Sequence, residues 1–494
     1  MKTSLFRAGL TCAAALTASV ATAGPADPFD EVPMAPAGTL PNDLSVDATF
    51  SGDGLQTIDF NDGFSEADLA KRVFPAEGGG YWVVGVHGTG INEPPRAVIA
   101  KLLPNGNLDT SYNGGGRIVA MPMDLIEDVT QGPFQTLYFT GRYTHPQAGD
   151  LDFGVFCVDV DGDPCQGFGT NGFKSVSFDL GSGSQHHDDV PARITYAFSS
   201  LYVGGSCGSG SGTSYNDAAC VTKLSAATGA VDSGFADAGR YHRNFDFGGS
   251  RRDAVTDLLA YSPQAGQVRL VLVGDLMINA PSDTDGFIAS LDGISGQESS
   301  QFGGAGFSRL IFDLGSSRAD HATRVIRRGD GGFIVAGYAV DDSASPTQEQ
   351  MFLAAFDPFG SFDTRFGSNG TLNRLVLSGT NRPFALAERP RTGDLVIGLN
   401  ARADLFGDGH PIATVVQFSR LGNSIHALAA LDVPGTGGSY LSTGGGDLLI
   451  DGTDRVVVVG NRQWNGLDYD MVAARYVATD RIFADHFGSV TADH

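Results

Sequence analysis

Short hydrophobic segments separated by polar turns run along most of this chain. The segments are about five to eight residues long and rich in Val, Ile, Leu, Phe and Tyr, and Gly, Asp, Asn and Ser separate them. Hydrophobic residues do not recur every three to four positions over a dozen residues, as they do in an amphipathic helix. The pattern therefore predicts an all-β protein built from short strands and tight turns.

Two glycine markers reveal an internal repeat. The first is an aromatic residue followed four positions later by glycine, and successive copies are 56 to 67 residues apart. Its aromatic residues are Phe50, Tyr112, Phe168, Phe235, Phe302 and Phe366. The second is a β-branched or aromatic run that ends in glycine, and it occurs seven times. Its glycines are Gly85, Gly141, Gly204, Gly274, Gly337, Gly398 and Gly460. Such a period indicates a repeat architecture.

Each unit has room for four short strands, and four antiparallel strands repeated about seven times predict a single β-propeller. We place the propeller at residues 45–488, with a short tail at residues 489–494. A β-solenoid is the alternative, but its coils are usually shorter than about 60 residues. Residues 55–60 are expected to complete the last blade beside residues 471–477, because pairing the two ends removes an exposed edge.

An aspartate often stands three positions before the repeated aromatic residue, as Asp47, Asp109, Asp232 and Asp363. Its carboxylate can accept backbone N–H groups two residues further on and so hold the turn. The glycine that closes the turn is expected to have a positive φ.

The N-terminus has the features of an export signal. Lys2 and Arg7 precede an apolar, Ala-rich stretch, and Ala21 and Ala23 form a small-x-small cleavage site. The stretch is too short for a membrane anchor, which needs about 20 apolar residues. We therefore predict a signal peptide at residues 1–23 and a linker at residues 24–44. The protein is expected to be secreted, either into the periplasm or out of the cell, with no membrane span.

Removal of the signal leaves four cysteines in two close pairs, Cys157 with Cys165 and Cys207 with Cys220. Each pair could form a disulfide across neighbouring strands, which fits an oxidising compartment. In the third unit Cys165 replaces the turn aspartate, so this disulfide is expected to hold the turn instead. Metal binding by the four is the alternative, but the CxxC spacing of zinc sites is missing.

The formal net charge is −24. Nucleic acid is not expected as a partner, because phosphate binding needs a concentrated basic surface. An anionic membrane surface is disfavoured for the same reason. The remaining candidates are an extracellular or envelope protein or a glycan.

The segments 102–116 and 357–370 resemble the delta-60 repeat of large exported bacterial proteins. That repeat places a Pro-Asp-Gly-type turn before Leu-Asp-x-x-Phe-Gly-x-x-Gly. The resemblance implies a propeller-like fold and export, and it transfers no catalytic residue, because the family has no assigned chemistry. The tail segment 480–488 resembles a short ending found on exported proteins of some Gram-negative bacteria, and it equally resembles a worn copy of the turn motif.

Asp159, Asp161 and Asp163 have the alternating carboxylates of a calcium loop. Gly162 and Pro164 depart from the EF-hand pattern, so a solvated turn is the favoured interpretation. We expect no cofactor, and calcium is the one candidate ion.

Two further motifs contain residue types that occur in catalytic or metal-binding sites. Gly204, Ser206 and Gly208 match the G-x-S-x-G pattern, but a nucleophile elbow requires a helix directly after the serine. His186, His187, Asp188 and Asp189 could bind a metal, yet adjacent strand residues point to opposite faces. The catalytic residues therefore stay unknown.

Two functional hypotheses follow. The favoured one is a non-enzymatic binding or structural scaffold, because only Trp82 and Trp464 could supply tryptophan platforms for a sugar. The alternative is a hydrolase or lyase of an extracellular polymer, with its site near the central channel.

Overall fold

The computed structural model describes residues 44–60, 67–88, 95–180, 187–211, 214–245, 247, 251–278, 283–345, 347–402, 412–430, 446–465 and 468–478. The signal peptide, the tail and almost all of the linker lie outside these residues, and the boundaries given above stay predictions. Among the described residues, none of the helices could cross a membrane.

The described strands form six sheets, and the nine-stranded one contains two four-stranded antiparallel units joined at a single residue pair. We call the resulting seven four-stranded units blades one to seven. The first strand of each blade is β3 (Ala67–Pro75), β7 (Leu125–Gln131), β11 (Asp189–Ala197), β16 (Ala254–Tyr261), β20 (Asp320–Arg327), β24 (Thr380–Glu388) or β28 (Asp447–Ile450). The second is β4 (Tyr81–Gly88), β8 (Leu137–Thr144), β12 (Ser200–Ser211), β17 (Arg269–Met277), β21 (Phe333–Asp341), β25 (Leu395–Arg402) or β29 (Val456–Asn465).

The third strand of each blade is β5 (Arg96–Leu102), β9 (Leu151–Val158), β13 (Ser214–Ser225), β18 (Thr284–Asp292), β22 (Gln348–Phe356), β26 (Ile412–Phe418) or β30 (Asp468–Ala478). The outer strand is β6 (Gly116–Ala120), β10 (Phe173–Val176), β14 (Arg240–Arg243), β19 (Phe307–Leu310), β23 (Thr371–Arg374), β27 (Ile425–Ala430) or β2 (Leu55–Ile58). Two short strands, β1 (Leu44–Val46) and β15 (Arg251–Arg252), add to blades seven and three. Three-residue 3₁₀ helices span Asn113–Gly115, Pro133–Gln135 and Phe302–Gly304.

The seven blades close into a ring. The first strand of each blade contacts the first strands of both neighbouring blades, so these seven strands surround a central channel. Seven separate hydrophobic clusters fill the seven interfaces between adjacent blades. The predicted all-β propeller is thereby confirmed.

Ring closure uses the N-terminal strand, as the sequence predicted. Strand β2 pairs antiparallel with β30, with Leu55 opposite Ala474 and Ile58 opposite Met471. The sequence repeat is therefore offset from the blade, because the strand that follows each aromatic-glycine turn is the outer strand of the preceding blade. Two ends of the chain thus share one sheet, and β30 has no open edge at this position.

The repeated aromatic residue joins each blade to the next. Phe50, Phe168, Phe235, Phe302 and Phe366 are all buried. The residue after the aromatic donates its backbone N–H to a turn of the following blade, as in Ser51 N to Asn105 O at 2.6 Å and Gly303 N to Phe359 O at 2.9 Å. The turn glycine opposite leaves room for the ring, because a Cβ on Gly106 would lie 2.5 Å from Phe50. The marker therefore recurs because it packs into six of the seven interfaces, and among the described residues the interface of blades six and seven contains no copy of it.

The turn chemistry also matches the sequence prediction. The side chains of Asp47, Asp109, Asp232 and Asp363 each accept the backbone N–H two residues further on. The closing glycine has a positive φ in five of the six turns, at Gly54, Gly172, Gly239, Gly306 and Gly370. In the second turn Gly115 has the positive φ instead, and Gly116 is extended.

Candidate functional site

A repeated β-bulge determines which side chains face the central channel. Six of the seven first strands contain one extra residue where they pair with their second strands, at Lys71, Glu127, Ala192, Thr256, Thr323 and Phe384. The residue after the extra one is Arg72, Asp128, Arg193, Asp257, Arg324 or Ala385, in blade order. Strand β28 of blade seven adds Asp447. Bulges re-aim side chains in this way at many functional sites.

Five of these residues form a series of ion pairs in which acidic and basic side chains alternate. Asp447 is 3.5 Å from Arg72 Nη1, and Arg72 Nε is 2.8 Å from Asp128. Arg193 Nη1 is 3.2 Å from Asp128, and Arg193 Nε is 3.1 Å from Asp257. We call these five residues the channel ring. It links blades seven, one, two, three and four.

Each carboxylate of the channel ring also accepts a backbone N–H from the next blade. Asp128 Oδ2 accepts from Ile194 at 3.0 Å, and Asp257 Oδ2 accepts from Val325 at 2.9 Å. Asp447 Oδ2 accepts from Val73 at 3.3 Å. A carboxylate bonded to both arginine and a backbone amide is held strongly in its charged form.

The pKa of Asp128 reflects this environment. Burial would raise its pKa, but the charges of Arg72 and Arg193 outweigh burial and lower the pKa to about 2. Arg72 responds in the opposite direction, since Asp128 and Asp447 overcome burial and raise its pKa. Asp128 and Arg72 therefore stabilise each other in their charged forms.

A cavity of about 310 Å³ lies in the channel against this ring. Arg72, Asp257, Arg324 and Asp447 contribute its polar lining. Arg324 donates to the carbonyl oxygens of Phe384 at 2.5 Å and Thr323 at 2.6 Å. Acidic and basic side chains thus line the cavity, and these side chains form ion pairs or hydrogen bonds with other protein groups.

A second concavity of about 710 Å³ lies between the turns that follow the first strands of blades five and six. We call it the arginine groove. Its charged lining residues are Arg327, Arg328, Asp330, Glu388, Arg389, Arg391 and Arg420. Five cations against two acids is a marked local excess on a protein whose net charge is −24.

Other protein groups hold the arginines of this groove in place, but not all of their N–H donors have a hydrogen-bond acceptor. Arg328 pairs with Asp363 at 3.2 Å, and Arg391 pairs with Asp454 at 3.3 Å. Arg389 donates to the carbonyl oxygen of Asp454 at 2.6 Å. Two buried donor atoms, Arg328 Nε and Arg389 Nη2, find no hydrogen-bond acceptor. Such donors favour an anionic ligand.

A histidine–carboxylate pair lies between blades four and five. His321 Nδ1 is 2.8 Å from Asp275 Oδ2, and the His321 ring packs on Tyr338 with centroids 4.8 Å apart. Burial would lower the pKa of His321, but the hydrogen bond and charge of Asp275 outweigh it and raise the pKa. Both side chains are partly exposed, so the pair is open to a ligand.

The candidate calcium loop is a hydrogen-bonded turn. Asp159 Oδ1 accepts the backbone N–H groups of Asp161 at 3.0 Å and Asp163 at 2.9 Å. The carboxylate of Asp163 pairs with Arg117 at 2.9 Å. The corresponding turn of blade five is built in the same way, with Asp357 Oδ1 accepting from Phe359 and Ser361. The three carboxylates are not among those that converge on one point within the described residues.

The other two sequence motifs lie in ordinary strand structure. Gly204, Ser206 and Gly208 fall inside β12, which pairs with β11 on one side and β13 on the other. No helix follows the serine, so this is not a nucleophile elbow. Of the histidine–aspartate motif, His186 lies outside the described residues. Asp188 accepts the N–H of Leu151, whereas Asp189 accepts that of Phe178.

Both cysteine pairs form disulfides, Cys157 with Cys165 and Cys207 with Cys220. The first holds the turn after β9, and the second joins the adjacent strands β12 and β13. Both are consistent with an oxidising compartment. Trp82 is buried in the core, and its Nε1 donates to Gln135 at 2.6 Å, so it offers no platform to a sugar.

Sequence reasoning missed the channel ring and the arginine groove. A usable signal was present, because in blades one to five the residue two positions after Ala70, Ile126, Pro191, Val255 or Ala322 alternates between Arg and Asp. Reading it required the bulge position, which the hydrophobic pattern does not show.

No protein-family model matches this chain, and no curated protein matches it. Among solved structures, it is similar to an α-L-arabinofuranosidase from Fusarium graminearum, at 11% identity and a TM-score of 0.41. That alignment covers 72% of this chain and 94% of the other. A periplasmic gluconolactonase from Pseudomonas aeruginosa has 12% identity and a TM-score of 0.38, covering 84% and 97%.

The β-propeller domain of the trilobed protease from Pyrococcus furiosus has 8% identity and a TM-score of 0.39, covering 86% of this chain and all of that domain. The activities in these names belong to those proteins. The propeller assignment of the present chain rests on its own strand pairing.

Proposed function

We propose that the protein is an exported, non-enzymatic β-propeller that acts as a binding scaffold, with the arginine groove as its binding surface. The observation that carries this proposal is the engagement of the channel carboxylates. Glycoside hydrolysis needs one carboxyl that stays protonated near neutral pH. The pKa of Asp128 lies far in the opposite direction, at about 2. Asp128 is therefore suited to holding neighbouring blades together rather than to acid catalysis.

The arginine groove favours a ligand with carboxylate groups. Guanidinium groups bind carboxylates through two parallel hydrogen bonds, and Arg391 is exposed enough to do so. A carboxylated glycan is the partner we propose, and an acidic protein segment is the alternative outcome of the test. The net charge of −24 argues against nucleic acid.

The resemblance of segments 102–116 and 357–370 to the delta-60 repeat supports this assignment, as does the export signal predicted at residues 1–23. We accordingly propose that the chain is a delta-60-like repeat protein of the bacterial envelope or medium. The two disulfides agree with that location.

Calorimetric titration tests the groove. The full chain is titrated with an oligosaccharide of uronic acids and with a neutral oligosaccharide of the same length. Binding of the acidic one alone is expected, and Arg391→Gln should weaken it about tenfold, the equivalent of one charged hydrogen bond. Arg365→Gln is the matched control, because its side chain is 73% exposed against 72% for Arg391 and it lies outside the groove.

Equal binding of both sugars, or equal losses in both variants, would contradict the groove as the site. Binding of an acidic peptide without binding of either sugar would move the proposal to a protein partner.

A hydrolase or lyase of an extracellular polymer is the second candidate, and the Asp275–His321 pair is the observation that favours it. A partly exposed imidazole beside a carboxylate can transfer protons. Release of reducing ends from a polymer by the purified protein, abolished by Asp275→Asn, would replace the scaffold proposal with this one.

A further inference from the structure

Three blade junctions carry a similar arrangement of four aspartates. Two of the four lie two positions apart at the start of the third strand, one follows the outer strand, and one begins the first strand of the next blade. At the junction of blades four and five these are Asp283, Asp285, Asp313 and Asp320, which we call the 4/5 cluster. At the junction of blades two and three they are Asp150, Asp152, Asp179 and Asp189, the 2/3 cluster.

Three carboxylates of the 4/5 cluster converge. One oxygen each of Asp283, Asp285 and Asp313 lies within 4.8 Å of the others. Asp320 is outside that converging set but is held next to Asp313, because its Oδ2 accepts the backbone N–H groups of Phe312 at 2.6 Å and Asp313 at 3.2 Å. Arg309 Nε donates to Oδ2 of Asp285 at 2.7 Å, which neutralises part of the charge and leaves Oδ1 for another partner.

A buried oxygen of this cluster has no partner. Asp320 is fully buried, and its Oδ1 makes no hydrogen bond, although its Oδ2 makes two. An unpaired buried carboxylate oxygen is costly, so such an atom needs an explanation. Burial, with the nearby charges of Asp285 and Asp313, also raises the pKa of Asp320 to about 6.

The 2/3 cluster repeats the exposure pattern and the unpaired oxygen in an independent part of the chain, although its carboxylates are not among those that converge within the described residues. The four positions have the same exposures in the same order, and Asp189 is again fully buried. Asp189 Oδ2 accepts the N–H of Phe178 at 2.6 Å, and its Oδ1 is again without a hydrogen bond. Two repeats have therefore kept the same unsatisfied oxygen.

Other junctions satisfy the equivalent oxygen with the protein itself, including that of blades seven and one, where Asp59, Asp68 and Asp470 also converge. At the junction of blades seven and one, Asp68 Oδ1 lies 2.6 Å from His87 Nδ1. In blade four, Asp253 Oδ1 accepts the N–H of Met277 at 3.3 Å. Blade six has the uncharged Asn381, whose Oδ1 accepts the N–H of Leu377 at 2.9 Å. An oxygen without a partner is thus a particular property of Asp189 and Asp320 in this set.

We propose that the 4/5 cluster binds a calcium ion, with Asp283, Asp285, Asp313 and Asp320 supplying its protein ligands. Carboxylate oxygens are the ligands of hard cations. Calcium takes several carboxylate ligands, whereas magnesium usually keeps most of its waters and binds one or two carboxylates. A set of four carboxylates therefore suits calcium. The ion would join the outer edge of blade four to the first strand of blade five.

The test is a calorimetric titration of the chelator-treated full chain with calcium chloride, and then with magnesium chloride. Calcium is expected to bind in the range of exported calcium modules, with a matching rise in Tm, and magnesium to bind more weakly. Asp313→Asn should weaken calcium binding at least about tenfold by removing one charged ligand. This variant should fold, because Asp313 is exposed with a φ of 48°, a conformation that asparagine tolerates well.

Asp161→Asn is the matched control, since Asp161 is an exposed turn aspartate outside the cluster, and it should leave calcium binding unchanged. Absence of calcium heat and of any Tm shift in the wild type would overturn the proposal. So would loss of binding in Asp161→Asn with retention in Asp313→Asn, because the ion would then lie in the loop of Asp159. These outcomes are independent of the arginine groove, whose variants are read with a different ligand.

Discussion

One position in the repeat accepts two different kinds of cross-link. The turn aspartate pairs with a basic residue on the third strand, as in Lys101–Asp109 at 3.2 Å, Lys223–Asp232 at 2.9 Å and Arg475–Asp47 at 2.7 Å. In blade two the same position holds the Cys157–Cys165 disulfide. The backbone is unchanged, because Cys165 N donates to Cys157 O at 3.0 Å just as Asp109 N donates to Lys101 O at 2.8 Å.

Replacing this disulfide by the ion pair of the other blades should give a folded protein. For the variant Cys157→Lys with Cys165→Asp, we expect reductant to lower the free energy of unfolding by less than in the wild type, because only the Cys207–Cys220 disulfide remains to be opened. The wild type should lose about 2–3 kcal/mol when the short loop is opened. Urea unfolding with and without reductant measures both values. The double alanine variant is the control, and equal stability of the two double variants would show that the ion pair does not replace the disulfide.

The channel ring makes a second prediction at the residue scale. Asp128→Asn leaves Arg72 and Arg193 without their shared carboxylate in a site where the Asp128 side chain is only 2% exposed. Breaking a buried pair in this way typically costs about 3–5 kcal/mol. Asp163→Asn removes an exposed carboxylate that also pairs with an arginine, and it should change stability by less than about 0.5 kcal/mol.

The contribution of Asp128 to the free energy of unfolding should depend on pH. The pKa of Asp128 is lowered to about 2 in the folded protein, whereas an unfolded aspartate has a pKa of about 3.9. The stabilisation is therefore fully present above about pH 4 and is lost as the pH falls towards 2. Urea unfolding of wild type and variant across this range measures the difference. A difference that stays constant down to pH 2 would contradict the assignment.

At the scale of elements, the repeat and the blade are out of step by one strand. The aromatic-glycine turn lies before the outer strand of the preceding blade. The start of the chain therefore supplies the outer strand of the last blade. Strand β2 fulfils this role through its four pairs with β30. The strand buries one side chain fully, because Ile58 is 1% exposed and belongs to the core between blades seven and one.

Ile58→Asp should therefore destabilise the whole ring. A charge placed in that core should lower the free energy of unfolding by roughly 3–5 kcal/mol. Val46→Asp is the matched control, since Val46 lies in β1, pairs with the same strand β30 and is 47% exposed. Denaturant unfolding of both variants measures the loss in free energy of unfolding for each. Similar losses in the two would mean that β2 does not hold the ring closed.

At the scale of the whole molecule, stability is distributed over seven similar interfaces. Each interface has its own hydrophobic cluster, and a chain of such units is closed by a single strand. An open ring would expose the edge of β30 together with Met471 and Val472, which are buried in the closed protein. Exposed strand edges pair with other chains.

Removal of residues 1–60 should accordingly cause self-association. A chain without residues 1–43 keeps β1 and β2 and serves as the control. Light scattering after size-exclusion chromatography should show larger species for the first truncation than for the second. Identical elution of the two would indicate that another segment covers the edge of β30.

The sequence by itself determined the parts of this protein that depend on local chemistry. Strand pattern, repeat period, turn aspartates, positive-φ glycines and the closing strand at residues 55–60 were all predictable, because each depends on residues near one another in the chain or on a pattern that every blade repeats. The offset between repeat and blade followed only from the observed pairing of β2 with β30.

The tertiary structure decided which charges meet. Arg72 and Asp128 are 56 residues apart, and they face each other because a bulge in two separate strands turns both towards the channel. The convergence of Asp283, Asp285 and Asp313 likewise joins a third strand to the loop after an outer strand. Carboxylates and arginines carry no hydrophobic period, so their contacts depend on blade geometry and strand register, which are properties of the closed ring.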